Sequence, residues 1–316
     1  MALSSIPTVD LQDFRSGDSV RKNKFIKALG QAYEEIGFVT VTNHGLSEAL
    51  RENLYEQVES FFALPEDVKM QYHIDGLAGQ RGYTPFGKEH AKGHNAGDLK
   101  EFFQFGQSVK NNPALADLYP KNVSVSELPQ FNPAGMQAYK TLEQAGSELL
   151  QAIALYLGLE ENYFEDKIEN GNSILRAIHY PPITEEPKDA VRAAEHEDIN
   201  LITLLMGASA EGLEVKTKAG DWIGVNVSED AVVVNVGDML QRLTNNVLRS
   251  TTHRVVNPPK EKWGTSRFSI PFFLHPISEM DLTCLESCIT SKNEKQYNDM
   301  TAGEYLDERL REIGLK

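Results

Sequence analysis

His196 and Asp198 stand two residues apart in AAEHEDINLITLL, and a second histidine, His253, follows in STTHRVVNP. Two imidazoles and one carboxylate make the face that holds a non-haem iron(II) ion and leaves other coordination positions open. Zinc can occupy the same three ligands. HEDIN is not the helical zinc-hydrolase motif, however, because Asn200 stands where its second histidine would fall. Shortly after His253 comes RFSIPFFLHP, with Arg267 and Ser269 again two residues apart. On a strand that spacing turns guanidinium and hydroxyl to the same side, as a fork for a carboxylate. An open iron face beside a carboxylate anchor points to oxygenase chemistry with a 2-oxo acid as co-substrate.

The elements around these residues must be rigid enough to aim them. From Ser173 onward the chain reads as short strands: ILRAIHY, NLITLLM, LEVKT, AVVVNV, RSTTHRVV and RFSIPFFL. Turn signals at Ala219-Gly220, Gly237-Asp238 and Asn257-Pro258 punctuate them. Several short strands with regular turns predict a β-sandwich or jelly roll. His196 and Asp198 fall just before NLITLL, at an expected loop-to-strand junction, and His253 lies in a β-branched run. Glu195 and Glu197 flank the motif and are expected to point outward as solvated charges.

The first half has a different texture. IPTVDL predicts a strand from Ile6 to Leu11. VRKNKFIKALGQAYEEIG carries a helical apolar stripe ending at Gly37, and FVTVT follows as a strand before the turn Asn43-His44-Gly45. SEALRENLYEQVESFFALP predicts a helix capped by Ser47, with Pro65 beyond its end. Residues 73–110 are rich in Gly, His and charge, and read as functional loop with brief strands. AGMQAYKTLEQAGSELLQAIALYLGL is one long helix ending near Gly158, and TAGEYLDERLREIG is a closing helix with a Thr301/Glu304 capping box.

Composition limits the function classes. The chain has 316 residues, 41% of them hydrophobic, and a formal net charge of −15. That charge argues against binding nucleic acid or an anionic membrane, since both require basic surface. The opening MALSSIPTVDLQDF has no basic segment leading into an apolar run, so no signal peptide is expected, and no apolar stretch reaches the ~18 residues of a spanning helix. The only cysteines, Cys284 and Cys288, read as reduced thiols. A cytoplasmic protein acting on a small-molecule substrate is expected. Among the other histidines, His44 should satisfy local hydrogen bonds and His90 and His94 read as solvated loop residues. His179 and His275 flank strand ends and are candidates to support the metal ligands.

In order along the chain, these segments resemble the isopenicillin N synthase-like branch of the non-haem iron(II), 2-oxoglutarate-dependent oxygenases over almost the full length. The likeness rests on IPTVDL, GFVTVTNHG and FFALPEDVK in the first half. In the second it rests on YPP at Tyr180, HED at 196–198, NVGDMLQRLTNN, STTHRVVNP and RFSIPFF. The resemblance implies a mixed α and β fold: a distorted double-stranded β-helix, or jelly-roll, core with flanking α-helices. It divides one compact unit of residues 1–316 into three parts. Residues 1–165 are a mainly helical N-terminal region with substrate-facing loops, 166–280 the core, and 281–316 a C-terminal helical segment. It further implies iron on His196, Asp198 and His253, with Arg267 and Ser269 on the distal carboxylate of 2-oxoglutarate and the Tyr180 hydroxyl nearby.

The implied reaction couples oxidative decarboxylation of 2-oxoglutarate, with Fe(II) and O2, to hydroxylation or a related oxidation of a small metabolite. In relatives, the segments carrying Arg81, Tyr83, Lys100, Phe102 and Phe103 approach the substrate. Their mix of charge and aromatic surface suits a carboxylated or amphipathic molecule. Ordinary strand alternation, with one of Phe102 and Phe103 in the core, is an equal reading of that pair. Leu243 stands where many relatives carry tryptophan. Two alternatives stay open: a ring-closing or desaturating iron oxidase that does without 2-oxoglutarate, and a non-catalytic jelly-roll metal-binding protein.

Overall fold

A computed structural model describes residues 5–77, 79–89, 97–109, 119–187, 190–207, 211–225, 228 and 230–312. His90 and His94 lie outside the described residues. The strands anticipated after Ser173 join others from the first half of the chain in two sheets. In chain order they are β1 (Thr8–Asp10), β2 (Phe38–Thr42), β3 (Gly82–Thr84), β4 (Glu101–Gly106), β5 (Ile174–Tyr180) and β6 (Ala193–His196). Then come β7 (Ile202–Met206), β8 (Leu213–Lys216), β9 (Trp222–Gly224), β10 (Val232–Val236), β11 (His253–Val255) and β12 (Arg267–Leu274). The larger sheet runs β1-β2-β10-β7-β12-β5-β4-β3 and the smaller β6-β11-β8-β9. Every pairing is antiparallel except β1 with β2. Strands from the N-terminal part thus extend both edges of the larger sheet.

The helices are α1 (Leu11–Arg15), α2 (Ser19–Glu35), α3 (Glu48–Phe62), α4 (Glu66–Met70), α5 (Phe131–Tyr156), α6 (Glu165–Ile168), α7 (Asp238–Leu243) and α8 (Ala302–Glu312). Ser47 caps α3 by accepting from the Leu50 amide at 3.2 Å. The Thr301 amide donates to Glu304 Oε2 at 2.8 Å while the Glu304 amide donates to Thr301 Oγ1 at 3.2 Å, the reciprocal box expected for α8. After α2, Gly37 turns the chain with φ +73°, and a Cβ there would lie 2.2 Å from the Arg249 carbonyl. Short helices depart from the sequence expectation, α6 among them. The strand foreseen through Leu11 stops at Asp10, whose carboxylate caps α1. Pro65 opens α4 instead of merely ending α3, and α7 occupies NVGDMLQRLTNN. Helices of five or six residues are too short to display a 3.6-residue period. Strands β6 and β9 were likewise missed, being four and three residues long. Among the described residues, no helix is long and apolar enough to cross a membrane.

The outer face of the larger sheet packs on α3 and α5. Phe103 and Phe105 of β4 meet Phe61 and Phe131 there, with Phe103 4.9 Å from Phe131 and 5.0 Å from Phe61 between ring centroids. Aromatic pairs at this spacing add about 0.5–1.5 kcal/mol to their burial. This layer makes the sheet a rigid wall, and its other face is left to line a cavity.

Ionic bonds stitch the segment leading into β4 to that wall. The Leu99 amide donates to the Val191 carbonyl at 3.0 Å, and the Ala194 amide of β6 donates to Asp98 Oδ1 at 3.2 Å. Lys100 Nζ sits 2.8 Å from both Asp98 Oδ2 and Glu89 Oε1. Arg176 Nη1 reaches both Glu89 oxygens, at 3.1 and 3.2 Å. Burial alone would raise the Glu89 pKa, but Arg176 and Lys100 hold it down at about 2. The unfolded reference is ~4.3. A pKa lowered by folding adds stability that is complete above the unfolded value and fades as pH falls toward the folded one. Glu89→Gln should therefore destabilise the protein at neutral pH by on the order of 3 kcal/mol, the usual cost of breaking a buried pair. The deficit against wild type should shrink from pH about 4.5 downward toward 2, as read by urea denaturation across pH. A deficit constant over that window would show that Glu89 is not held ionised by these cations.

Candidate active site

Alternation along the strands decides which side chains face inward. Ile174, Arg176, Ile178 and Tyr180 of β5 line a cavity of about 550 Å³, as do Arg267, Ser269, Pro271 and Phe273 of β12, with His275 just beyond. Residues from both sheets wall this space, so it lies between them. Lys100 and Gln104 enter from the β4 side, and Leu306, Arg309 and Leu310 of α8 close one flank.

His196, Asp198 and His253 come together on the cavity wall, with one ligand atom from each within 4.8 Å of the others. His196 is the last residue of β6 rather than part of a lead-in to β7, and His253 opens β11. The two histidines are direct partners in the antiparallel register, so the backbone ladder fixes their spacing. His196 Nδ1 donates to the Ala194 carbonyl at 2.8 Å and His253 Nδ1 to the Thr251 carbonyl at 3.1 Å. That leaves each Nε2 lone pair aimed at the carboxylate. The Nε2 atoms lie 4.0 and 3.8 Å from Asp198 Oδ1. Ligands ~2.1 Å from a shared ion are separated by roughly 3–3.5 Å, so only a small contraction is needed. Burial and the neighbouring His253 push His196 down to about 4, which keeps its ring neutral. Burial would raise Asp198, but the two histidines and its hydrogen bonds hold it below the ordinary carboxylate range. Two imidazole nitrogens and one carboxylate are a donor set that fits iron(II).

The carboxylate is itself held. Thr203 Oγ1 donates to Asp198 Oδ2 at 2.6 Å and Asn235 Nδ2 donates to the same oxygen at 2.7 Å. Thr203 and Asn235 are cross-strand partners on β7 and β10. The first amides of α7, which have no partner within their own helix, are satisfied by this loop. Asp238 donates to the Asp198 carbonyl at 2.7 Å, and Met239 to those of Ile199 and Asn200 at 3.2 Å. Gly237 permits the approach, because a Cβ would lie 2.2 Å from the Asn200 carbonyl.

On the larger sheet's side of the cavity, Arg267 and Ser269 are buried on one face of β12, as their spacing predicts. Tyr180 is the register partner of Arg267, and the guanidinium stands 5.0 Å from its ring centroid. Arg192 lies 5.9 Å from the same ring and donates through Nη2 to the Thr265 carbonyl at 3.1 Å. Among the described residues, its buried Nε has no hydrogen-bond partner. Burial and the adjacent Arg267 lower the Arg192 pKa. Two buried guanidinium groups this close make the region favourable for an anion, which suits a carboxylate.

The five residues expected near substrate separate. Lys100 lines the cavity, and Phe102 packs against Arg176, 4.2 Å from guanidinium to ring. Arg81, Tyr83, Phe102 and Phe103 are outside the cavity lining. Phe103 belongs to the aromatic layer described above, and Tyr83 donates its hydroxyl to Glu101. Arg81 donates to the Gln80 carbonyl, and burial pushes its pKa down to about 10. His275, a candidate from the sequence, lines the cavity, and the cavity residues that were missed include Arg176, Glu89, Gln104, Asn172 and Phe273. Extending the two-residue period from Tyr180 back to Arg176, and from Ser269 on to Phe273, would have found two of them. Glu89, Gln104 and Asn172 carry no such signal.

Other residues take quieter places. His44 Nε2 meets the Asp230 carbonyl at 3.0 Å, and its Nδ1 accepts from the Leu46 amide at 3.3 Å. His179 turns away from the cavity, to Glu101 at 2.7 Å and Ser266 at 3.0 Å. Leu243 is buried in the core and does not line the cavity, so its departure from tryptophan leaves this pocket's wall untouched.

Comparison with known proteins gives the same picture. Residues 6–127 match the family described as non-haem dioxygenase in morphine synthesis N-terminal, and residues 171–276 match the 2OG-Fe(II) oxygenase superfamily. Proline hydroxylase buaE of Petromyces alliaceus is 32% identical, over 96% of this chain and 98% of its own. A 2OG-Fe(II) oxygenase family protein from Caulobacter crescentus is 41% identical with a TM-score of 0.88, covering 98% of this chain and 100% of its own. A full-length Neurospora crassa protein solved with alpha-KG and thymine is 30% identical with a TM-score of 0.85, covering 98% of both chains. The chain belongs to the isopenicillin N synthase-like branch of the Fe(II)/2-oxoglutarate-dependent oxygenases, and is an oxidoreductase that uses iron, 2-oxoglutarate and O2.

Proposed function

We propose that His196, Asp198 and His253 hold the iron, that Arg267, Ser269 and Tyr180 hold the distal carboxylate of 2-oxoglutarate, and that the enzyme hydroxylates a small metabolite. The observation that carries this reading is one cavity bearing three convergent ligand atoms and, on its β12 side, a buried guanidinium and hydroxyl. When bound, iron and 2-oxoglutarate activate O2 through oxidative decarboxylation, yielding succinate and carbon dioxide. The chain's own part is to fix the two imidazoles in one tautomer, keep Asp198 ionised, neutralise the distal carboxylate and exclude water with α8. Hydroxylation is favoured over ring closure or desaturation because a relative over nearly the whole chain is named a proline hydroxylase. We read the two sheets as the double-stranded β-helix, with residues 1–165, 166–280 and 281–316 acting as one unit, since strands of the first part pair directly with those of the second. A cytoplasmic setting suits Cys284 and Cys288, both buried and free. The acidic charge of −15 argues against nucleic-acid or membrane partners.

Two variants test the assignments. Thr203→Val keeps the side-chain shape and removes one hydrogen bond from Asp198. Loss of a group that orients a metal ligand typically costs ~10–100-fold in metal affinity, and anaerobic iron titration should show a loss of that size with the fold intact. Unchanged affinity would mean that Thr203 does not orient the carboxylate. Arg267→Leu removes the fork, and a buried carboxylate deprived of its partner loses ~2–5 kcal/mol, at least roughly thirtyfold in affinity. The charge-transfer band of the anaerobic iron and 2-oxoglutarate complex should then require correspondingly more 2-oxoglutarate, while iron affinity persists. An equal band at equal concentrations in both proteins would reassign Arg267.

A further inference from the structure

We propose that the substrate is an uncharged, planar molecule with a carbonyl beside an N–H, an amide-, lactam- or ureide-type edge, read by Arg176, Asn172 and His275 against the ring of Phe273. This rests on the iron and 2-oxoglutarate reading above and deepens it. Its first support is charge balance. Of the described cations lining the cavity other than Arg267, each stands within 4.0 Å of a carboxylate: Lys100 with Glu89 and Asp98, Arg176 with Glu89, Lys216 with Glu195, Arg309 with Glu312. The buried group around Lys100 and Arg176 therefore holds two positive and two negative charges. A carboxylate or an ammonium brought here would lose its hydration and find no surplus of opposite charge, which is costly in a dry site. A neutral polar molecule avoids that cost.

The second support is the set of unsatisfied hydrogen-bonding atoms. Arg176 is held rigidly by Gln104 Oε1 at 3.0 Å from Nε and by Glu89 on Nη1. Among the described residues, its Nη2 makes no hydrogen bond, so one edge of the guanidinium remains as a donor pair. Among the described residues, Asn172 Oδ1 is a buried acceptor without a partner, on a residue that lines the cavity. His275 Nδ1 is directed at the Phe273 carbonyl at 3.3 Å, which leaves Nε2 as an acceptor. Burial holds that ring neutral, with its pKa down to about 4. One donor edge and two acceptors match a group presenting a carbonyl and an N–H together. Phe273 lines the same space and supplies a flat apolar face. Sites built from such groups reject analogues that cannot fill them, because the buried polar atoms are then left unpaired.

The test uses the full chain loaded with iron and 2-oxoglutarate under anaerobic conditions, with calorimetry as readout. The probes are 2-pyridone and hydantoin as neutral lactam and ureide, benzoate as a planar anion and benzamidinium as a planar cation. At least one neutral probe should bind, with benzoate and benzamidinium tenfold weaker or more. Arg176→Met should weaken that binding at least tenfold while leaving the 2-oxoglutarate charge-transfer band at its wild-type strength. Should Arg176→Met fail to fold, Asn172→Ala serves: it deletes an acceptor that has no partner, so it should leave the unfolding midpoint unchanged and still weaken the neutral probe. The proposal is overturned if neither neutral probe binds at millimolar concentration, if benzoate or benzamidinium binds as tightly, or if the folded variants keep full affinity. A missing 2-oxoglutarate band in wild type would instead sink the co-substrate reading, and titrating the probes into metal-free protein keeps the two outcomes separate.

Discussion

The two hydrogen bonds on Asp198 Oδ2 are the constraint on which the rest of the site depends. A carboxylate buried between two sheets would tend to protonate, since burial disfavours its charged form. Thr203 and Asn235, partners across β7 and β10, each donate to Oδ2 and so stabilise the ion and point Oδ1 at the imidazoles. Hydrogen bonds to a charged group are each worth about 1.5–3 kcal/mol. Those donors belong to the larger sheet, whereas His196 and His253 belong to the smaller one. The loop carrying Asp198 is therefore the place where the two sheets are held at a fixed separation, and the cavity between them inherits its width.

The cavity that results has an uneven distribution of charge. Around Tyr180, Arg267 and Arg192 bring two buried guanidinium groups to one ring. Around Arg176 the cations are matched by Glu89 and Asp98. At an effective dielectric of ~20, a unit charge 4 Å away still contributes about 4 kcal/mol, so the difference is large enough to sort ligands. A dicarboxylate is drawn to the first region and gains nothing in the second. On the proposed assignment, the sheet separates co-substrate from substrate by electrostatics before any shape is considered.

The parts legible in the sequence are those where one physical rule acts alone. Period two in RFSIPFFL placed Arg267 and Ser269 on one face without reference to any neighbour. Caps such as Ser47 and the Thr301/Glu304 pair are local, and both form as expected. What escaped notice depends on partners distant in the chain. Glu89 lies in a loop and acquires its role only through Arg176, 87 residues away, and Lys100. Arg81 and Lys100 are the same kind of residue in the same segment, yet only Lys100 reaches the cavity. The turn at Gly82 and the register of β3 on β4 decide between them, and neither is visible in composition. The short helix α7 was hidden for a related reason: its first amides are satisfied by the metal loop, not by a capping side chain of its own.

That last arrangement links the closing of the cavity to the metal ligand. Asp238 donates its amide to the Asp198 carbonyl at 2.7 Å, and its Oδ2 accepts from the Tyr305 hydroxyl at 3.0 Å. Arg309 Nη2 stands 3.9 Å from the same oxygen. Tyr305 and Arg309 belong to α8, whose Leu306 and Leu310 form part of the cavity's apolar wall. The helix that covers the site is thus docked on the residue that grips the metal loop from behind. Burial and the nearby Glu197 favour the neutral form of Asp238, opposed by Ser250, Tyr305 and Arg309, with the balance raising its pKa. Seating α8 on the cavity and keeping Asp198 in place are consequently served by one set of bonds, because the residue that seats α8 also holds the Asp198 backbone.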